Sequence, residues 1–335
     1  MKSRHSRIVS AFALGGAAAL AITACSAAPS GGGTTSEEVT LRLSHVYEAT
    51  HPVETCGVQT LQEELDGSGI TLKSFPAAQL GSEAESLEQV ATGALDIAVA
   101  GSSFLGTWYE PAAVFDAAYL FDDVEHFNQT VDGELMGTVF DELAAQSGLR
   151  VQSGWYYGTR QVTANKEISV PADMKGLKIR TPDAPMYLKN TEIMGGTATP
   201  MALSEVYLGL QQGVIEAQEN PLPTIATAKL NEVQSVVNLT GHMVQGVFLT
   251  TQESLADKLT DAQNAAFEEA LIVASAAVQK CVESQETDIL DEWKSSGAIE
   301  INDAVKREDF AQAAIAEFSQ NPVWGELYSE IRAGK

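Results

Sequence analysis

Arginine is scarce in this sequence, and two of its positions suggest a specific chemistry. Beyond residue 25 the chain has six arginines: Arg42, Arg150, Arg160, Arg180, Arg307 and Arg332. Arg180 precedes Pro182 at the end of a predicted strand, and ligands of open α/β sheets bind beyond such strand ends. Arg160 follows another extended run and lies beside aromatic residues and a glycine. A guanidinium at either position could grip a carboxylate through two parallel hydrogen bonds.

Spacing alone favours a plainer interpretation, in which both arginines are ordinary surface or salt-bridge residues. The sequence carries no phosphate-binding loop, dinucleotide-binding glycine motif, nucleophile elbow or His-Glu-x-x-His zinc motif. The later histidines have no convincing metal partner at helical spacing, and no pair of acids stands out as catalytic. We therefore predict no cofactor, no metal and no enzymatic activity.

The first residues predict export. A basic start is followed at 8–22 by a small-residue apolar run that is short for a bilayer span and typical of a secretory signal. The run leads to Cys25 in the pattern of a bacterial lipobox, whose cysteine receives the lipid. We predict a lipoprotein signal peptide at 1–24 and a flexible, lipid-anchored tether at 25–38, rich in Ser, Gly and Thr. The alternative is an uncleaved N-terminal anchor with Cys25 as a bystander.

The predicted location is therefore extracytoplasmic, on the cell membrane, in the periplasm or at the outer face of the cytoplasmic membrane. Loss of the three basic residues before Cys25 brings the formal charge from −25 to −28. So acidic a body repels phosphate backbones, which argues against nucleic acid as a partner. Two cysteines remain, Cys56 and Cys281; export permits a disulfide between them, and two unpaired thiols are the alternative.

Hydrophobic patterning predicts an α/β fold. Strand and helix patterns alternate from residue 39 to residue 100 and again from 150, as in parallel sheets with helices on their faces. About 300 residues exceed one ordinary core, so two lobes are expected. Residues 261 to about 293 contain no Pro or Gly and predict one long helix that joins the lobes, or two helices with an unmarked bend.

Several linked motifs resemble one family, the solute-binding proteins of tripartite ATP-independent periplasmic (TRAP) transporters. The match is carried, in order, by 76–81 (Pro-Ala-Ala-Gln-Leu-Gly), 93–97 (Gly-Ala-Leu-Asp-Ile), 158–161 (Gly-Thr-Arg-Gln), 173–182 (Asp-Met-Lys-Gly-Leu-Lys-Ile-Arg-Thr-Pro), 199–207 (Thr-Pro-Met-Ala-Leu-Ser-Glu-Val-Tyr) and 218–221 (Gln-Glu-Asn-Pro). The resemblance covers nearly everything from residue 39 to the C-terminal helices.

The resemblance implies a two-lobed clamp like the type II periplasmic binding proteins, which closes on an organic acid and is braced by a long helix. Lobe 1 would comprise 39–157 and about 246–285, and lobe 2 would comprise 158–245 and about 286–335. The family's main carboxylate-binding arginine falls on Arg180, a second on Arg160, and a polar ligand partner on Asn220. The expected partners are a small organic-acid ligand and the TRAP membrane subunits, which import it with an ion gradient.

The chain also departs from the sialic-acid-binding branch of that family. That branch has acidic residues where this chain has Ser82 and Gly101, an asparagine at Asp183 and an aromatic at Leu203, so sialic acid itself is in doubt. We expect a smaller acid, or one with a flat or apolar part. Asp183 would suit a ligand hydroxyl or amine. Other candidate ligand contacts are His45, Tyr47, Ser102 and Ser103 in the first lobe, and Trp155 and Tyr157 near the second.

Three other functions remain open at this point. A receptor for an ATP-driven importer would have similar lobes, and a membrane partner without an ATPase would separate the two. An exported hydrolase or lyase would turn over its bound compound. An adhesion or scaffolding lipoprotein would lack a closed polar pocket.

Overall fold

The structure, a computed structural model, describes residues 38–334. The predicted signal peptide and Cys25 lie outside the described residues, as does nearly all of the predicted tether. Within 38–334, none of the helices combines the length and the apolar character that a membrane crossing requires.

One mixed sheet organises the described part of the chain. Its strands are β1 (Val39–Ser44), β2 (Ile70–Phe75), β3 (Ile97–Ala100), β4 (Leu149–Ala164), β5 (Lys178–Thr181), β6 (Thr197–Pro200), β7 (Ala217–Pro221), β8 (Val236–Gln252) and β9 (Glu300–Asn302). Their spatial order is β2-β1-β3-β8-β4-β7-β5-β6, with β9 beside β8. The β1–β2, β1–β3, β5–β6 and β5–β7 pairs are parallel, which matches the alternation of strand and helix patterns in the sequence.

Helices pack against strands at both ends of this sheet, at β2 and β3 and at β5, β6 and β7. They are α1 (Gln59–Glu64), α2 (Glu83–Ala91), α3 (Ser102–Leu105), α4 (Val124–Val131), α5 (Glu134–Ser147), α6 (Pro185–Ile193), α7 (Val206–Gln211), α8 (Leu222–Thr227), α9 (Asp261–Ser296), α10 (Arg307–Phe318) and α11 (Gly325–Arg332). A π-helical turn, Val53–Val58, precedes α1, and a 3-10 turn, Glu110–Asp116, follows α3. Ser82 caps α2 through a reciprocal capping box with Glu85, as its position before the helix predicts.

Two long antiparallel strands, β4 and β8, join the two ends of the sheet. The register of the β4–β8 ladder shifts at three places along β4. These shifts are β-bulges, and one lies between Tyr156 and Gly158. Gly158 has a φ of 129°, a conformation that favours glycine. The bulges change the direction of the side chains without ending the strands, so the sequence pattern is interrupted while the ladder continues.

The long helix is continuous, so the alternative of two bent helices is wrong. The 36 residues of α9 reach about 54 Å at 1.5 Å per residue. Thr260 caps its start through a reciprocal capping box, and Gly297 ends it in a left-handed conformation. The helix packs against β4, α1, α8 and the π-helical turn. The α/β class and the long bracing helix predicted from the sequence are confirmed.

The two cysteines after Cys25 lie next to each other in the structure. Cys56 is in the π-helical turn and Cys281 is in α9. Their Cα atoms are 6.4 Å apart and their sulfur atoms are joined in a disulfide across 225 residues of sequence. The turn that precedes α1 is thereby attached to the long helix.

Candidate functional site

A cavity of about 620 Å³ opens between the carboxyl ends of two pairs of parallel strands, β1 with β3 and β5 with β6. Val46 follows β1, Phe104 follows β3, Pro182 follows β5 and Met201 follows β6, and all four line the cavity. Arg180, near the end of β5, lines it as well. Open α/β sheets bind ligands beyond the carboxyl ends of their parallel strands, because the loops that follow the strands converge there.

Arg180 brings a cation to this cavity. Its side chain is 2% exposed, and its Nε donates a hydrogen bond of 2.8 Å to the carbonyl of Met201. Its two terminal nitrogens have no hydrogen-bond partner among residues 38–334. Burial lowers the pKa of Arg180 to about 10, although the charge of Glu219 acts in the opposite direction. A buried cation with so little compensation is a place where an anion would be stabilised.

Arg160 is equally buried but fully paired. Its Nε and one terminal nitrogen contact the carboxylate of Glu219, the latter at 2.8 Å. The other terminal nitrogen donates to the side-chain oxygen of Gln245 at 2.7 Å. Burial would lower the pKa of Arg160, but the charge and hydrogen bonds of Glu219 outweigh it and raise that pKa above its usual value. The guanidinium charge is therefore balanced inside the protein.

Glu219 is shared between Arg160 and a histidine. His242 Nε2 lies 3.1 Å from the Glu219 carboxylate, and His242 Nδ1 lies 2.8 Å from the hydroxyl of Thr240. Burial raises the pKa of Glu219, but Arg160 and His242 more than reverse this and hold the pKa at about 2. Burial lowers the pKa of His242. The cluster is fixed by contacts between β4, β7 and β8 rather than by a ligand.

Asn220 is held by a chain of hydrogen bonds. The Tyr157 hydroxyl lies 3.3 Å from the Asn220 side-chain oxygen and 2.5 Å from the hydroxyl of Thr224. Asn220 Nδ2 donates to Gln218 at 2.7 Å. His51 completes the chain, with its Nε2 3.0 Å from the same Thr224 hydroxyl. The amide of Asn220 therefore has a fixed orientation.

His51 is neutral at physiological pH, because burial, with the charge of His45 second, lowers its pKa to about 3. Its Nδ1 accepts a hydrogen bond from the backbone of Val53, so its Nε2 carries the proton and donates to Thr224. Tyr47 stacks on this arrangement, 5.0 Å from the His51 ring and 4.9 Å from the Tyr157 ring. Tyr47, His51 and Tyr157 thus form one buried aromatic cluster.

Three further predicted residues are buried away from open solvent. His45 pairs with Glu54 at 2.8 Å. Trp155 is fully buried with its ring against Gly57 and is not part of the cavity wall. The hydroxyl oxygen of Ser103 accepts a hydrogen bond from the backbone N–H of Met186.

Several buried polar atoms at the strand ends have no partner among the described residues. They include Ser102 Oγ after β3, Thr181 Oγ1 in β5 and His45 Nδ1 after β1. Buried polar atoms in proteins normally have a hydrogen-bond partner. Their grouping at the strand ends is consistent with a site that a polar ligand or water completes.

Comparison with known proteins identifies the chain. Residues 44–329 match the family model of bacterial extracellular solute-binding protein, family 7. The chain belongs to this family. Its members include the TRAP periplasmic solute-binding proteins, so the resemblance found in the motifs is confirmed.

Two curated relatives and one solved structure illustrate the match. The sialic acid-binding periplasmic protein SiaP of Vibrio cholerae is 35% identical over 70% of this chain and 73% of its own length. The 2,3-diketo-L-gulonate-binding periplasmic protein YiaO of Escherichia coli is 32% identical over 76% of each chain. A crystal structure of a TRAP solute-binding protein from Roseobacter denitrificans, with bound L-galactonate, aligns with a TM-score of 0.82. It is 29% identical, over 90% of this chain and 99% of that one.

Three more residues of this TRAP solute-binding protein line the rim of the cavity. Asp183 is exposed and Leu203 is half-buried, and both line the cavity. Glu83, the first residue of α2, is half-buried and faces the same space. Burial raises the pKa of Glu83 to about 7, although the positive charges of Arg180 and Arg160 act to lower it. An acidic side chain therefore does face the cavity, one residue after Ser82.

Sequence reasoning missed Glu83, Glu219, Asp116 and Tyr187. Asp116 is fully buried; its carboxylate accepts hydrogen bonds from the backbone of Ser103 at 2.7 Å and from Gln245. The Tyr187 hydroxyl also bonds to Asp116. Of these four residues, only Glu219 could have been found from the sequence, because it lies in the same motif as Asn220. An acid in the first turn of a helix, such as Glu83, is ordinarily explained by the helix dipole.

Proposed function

We propose that this receptor binds a small organic carboxylate through Arg180 and delivers it to the membrane subunits of a TRAP transporter for ion-gradient-driven uptake. One observation carries the proposal: a buried guanidinium lines a cavity with two nitrogens unused by the described part of the protein. An uncompensated buried charge is costly, and a bidentate carboxylate would offset that cost. The ligands named for the relatives above, sialic acid, 2,3-diketo-L-gulonate and L-galactonate, each carry a carboxylate.

The proposed ligand contacts differ in kind. Arg180 is the anchor, while Asn220, Asp183 and Leu203 would contact the rest of the molecule. Arg160 would act mainly by holding Glu219 and Gln245 in place, since all three of its nitrogens are already bonded. The closed cleft would be shaped by His45, Tyr47, Ser102, Trp155 and Tyr157. The Ser102 hydroxyl, which has no partner among residues 38–334, would be available to the ligand.

Closure would be a hinge motion between two lobes, 39–157 with about 246–285 and 158–245 with about 286–335. The proposed boundary is supported by the bulge between Tyr156 and Gly158 on β4, opposite Gly246 and Gln245 on β8. The cavity wall draws on both proposed lobes, with Val46 and Phe104 from one and Arg180 and Met201 from the other. A ligand that contacts both walls favours the closed state by its differential affinity.

We further propose that the protein works without catalysis and is tethered to the membrane by lipid on Cys25. The family is one of extracytoplasmic receptors, which supports a binding role. The lipobox-like order of basic, apolar and small residues before Cys25 supports the anchor. After removal of residues 1–24, the region 25–38 would hold the receptor close to its membrane partner.

A thermal-shift screen of the purified protein against a panel of organic acids tests the proposed function. A ligand present at 100 times its dissociation constant should stabilise the folded state by about 2.7 kcal/mol. The bound acid should be recovered unchanged after incubation. Failure of every carboxylate to shift the transition, or conversion of the bound acid to another compound, would refute the proposal.

A further inference from the structure

Two helices from the two proposed lobes meet beside the cavity. One is α3, which follows β3, and the other is α6, which follows β5. The backbone N–H of Met186 in α6 donates a hydrogen bond of 2.9 Å to the hydroxyl of Ser103 in α3, and both residues are buried. Phe104 in α3 lines the cavity, as do Pro182 and Asp183 just before α6. The contact therefore lies where the two proposed lobes would have to separate to admit a ligand.

Tyr187, in the first turn of α6, adds side-chain bonds to this contact. Its hydroxyl bonds to the carboxylate of Asp116 and accepts a hydrogen bond from Gln245 Nε2. The Asp116 carboxylate is held in turn by the backbone N–H of Ser103 at 2.7 Å. The centroid of the Tyr187 ring lies 6.0 Å from that of Phe104. One side chain of the second proposed lobe thus has polar and aromatic partners in the first.

Asn190, one turn further along α6, makes a second polar connection. Its side-chain oxygen accepts a hydrogen bond of 2.9 Å from the backbone N–H of Ala118. Its side-chain nitrogen donates a hydrogen bond of 2.8 Å to the backbone carbonyl of Asp116. These bonds join protein groups to one another, so they favour the closed arrangement whether or not an acid is bound.

Gly101, the residue before α3, leaves the space that the Tyr187 hydroxyl occupies. A Cβ atom at position 101 would overlap with that hydroxyl oxygen and would lie 2.9 Å from an oxygen of Asp116. The backbone itself does not require glycine, because a φ of −68° and a ψ of 155° are ordinary for any residue. A side chain at position 101 is therefore excluded by the docking of Tyr187, and not by the local backbone.

Resting on the proposed function and its hinge, we propose that the start of α6 is a latch between the two lobes. Tyr187 docks its hydroxyl in the notch at Gly101, beside Asp116. The hydrogen bonds of Ser103 and Asn190 complete the contact. The latch lowers the free energy of the closed state without a ligand, so the ligand-free protein populates that state. The ligand then has less closure to drive, because the population of the binding-competent state sets the apparent affinity.

Small-angle X-ray scattering of the purified, ligand-free protein tests the latch, since separation of the lobes increases the radius of gyration. Gly101→Ala places a methyl group in the notch, which only the open state accommodates. It should shift the open–closed equilibrium about tenfold or more toward the open state. Tyr187→Phe removes only the hydroxyl and should shift the equilibrium about two- to tenfold in the same direction. Both variants should therefore have a larger radius of gyration than the parent protein.

The double variant Gly101→Ala/Tyr187→Phe gives a readout that a merely structural role would not produce. It should be more compact than Gly101→Ala, because the added methyl group no longer meets a hydroxyl. Two matched controls change the same atoms elsewhere. Gly137→Ala adds a methyl group that faces open space, and Tyr207→Phe removes a hydroxyl that bonds to Glu232 at an exposed site. Both controls should scatter like the parent protein.

The possible outcomes separate the latch from the proposed function. Identical scattering by the parent protein, Gly101→Ala and Tyr187→Phe would overturn the latch while leaving the carboxylate receptor intact. A lower unfolding free energy of Gly101→Ala without expansion would show a permanent packing contact and would also overturn it. If Gly101→Ala does not fold, the scattering of Tyr187→Phe decides the question. Failure of every carboxylate in the thermal-shift screen would instead count against the proposed function, since the scattering experiment uses no ligand.

Discussion

A buried guanidinium needs compensation for its charge, and Arg160 and Arg180 meet this need in different ways. Arg160 is paired with Glu219 and bonded to Gln245 inside the protein. Among residues 38–334, Arg180 has one hydrogen-bond acceptor, the backbone carbonyl of Met201, and it lines the cavity. The two residues therefore make different predictions for binding and for stability.

Loss of Arg180 should abolish tight binding. Removing one partner of a buried charge pair typically costs about 3–5 kcal/mol, so Arg180→Ala should weaken ligand binding roughly 100-fold or more. Arg180→Lys should fail almost as badly, because an ammonium retains the charge without the planar fork. Isothermal titration calorimetry measures both. Arg150→Ala, which changes an exposed arginine, serves as control. If Arg180→Ala binds the ligand with an affinity within threefold of that of the parent protein, Arg180 is not the anchor.

Loss of Arg160 should first affect stability. Arg160→Met leaves Glu219 buried beside a neutral His242, which should cost about 3–5 kcal/mol of unfolding free energy at pH 7. Urea denaturation measures this decrease in unfolding free energy. The double variant Arg160→Met/Glu219→Met should recover part of the lost stability. If Arg160→Met is instead as stable as the parent protein and binds ligand as weakly as Arg180→Ala, then Arg160 contacts the ligand.

The pH dependence of that effect follows from Glu219. Its pKa lies at about 2, below its ordinary value of 4.5, so its pairing contributes stability above pH 4.5. That contribution is lost as the pH falls from 4.5 toward 2. The parent protein and Arg160→Met should therefore differ most at neutral pH and converge in acid.

At the scale of elements, the proposed hinge depends on three long segments, β4, β8 and α9. The bulges on β4 place Arg160 at the point where this strand leaves one end of the sheet for the other. Glu286 on α9 accepts hydrogen bonds from the backbone of Thr159 and the hydroxyl of Tyr156. The long helix is thus attached to the strand at the bulge, where a change in lobe orientation would be absorbed.

The disulfide is a second attachment of α9, and it yields a prediction. Mass spectrometry of the unreduced protein should find Cys56 and Cys281 linked. Reduction should lower the unfolding free energy by about 2–4 kcal/mol, because the bond closes a long loop in the unfolded chain. The Cys56→Ser/Cys281→Ser variant should be insensitive to reductant. Alkylation of both thiols without reduction would show that the bridge is not formed.

At the scale of the whole molecule, the formal charge of −25 sets the electrostatic background for binding an anion. A protein of this charge repels small anions at long range, so affinity must come from local contacts in the cleft. The proposed contact with buried Arg180 would provide this affinity, since a low effective dielectric constant strengthens the attraction between a guanidinium and a carboxylate.

Membrane retention should depend on one residue. Cys25→Ser removes the acceptor for the lipid, so the protein should be released from the membrane fraction or remain unprocessed. Fractionation and N-terminal mass analysis measure this, with Ser26→Ala as control. Membrane retention of a Cys25→Ser variant from which residues 1–24 have been removed would contradict the proposed anchor.

Local patterns in the sequence determined much of the architecture. Hydrophobic patterns predicted the alternation of strands and helices from residue 39 to residue 100 and the long helix α9, since each pattern reports the burial of one face. The same patterns placed Arg180 at a strand end beside Pro182. Linked motifs then identified the family, because their order and spacing are specific.

Contacts between distant residues were decided by the tertiary structure alone. Arg160 and Glu219 are 59 residues apart, and nothing in their local patterns indicates that they form a buried pair. Glu83 and Arg180 come from opposite ends of the sheet, so only the fold brings these opposite charges to one cavity. The sequence supplied the charged groups and the strands that carry them. Which of these charges are paired inside the protein depends on three-dimensional packing, because electrostatic pairing follows distance in space rather than along the chain.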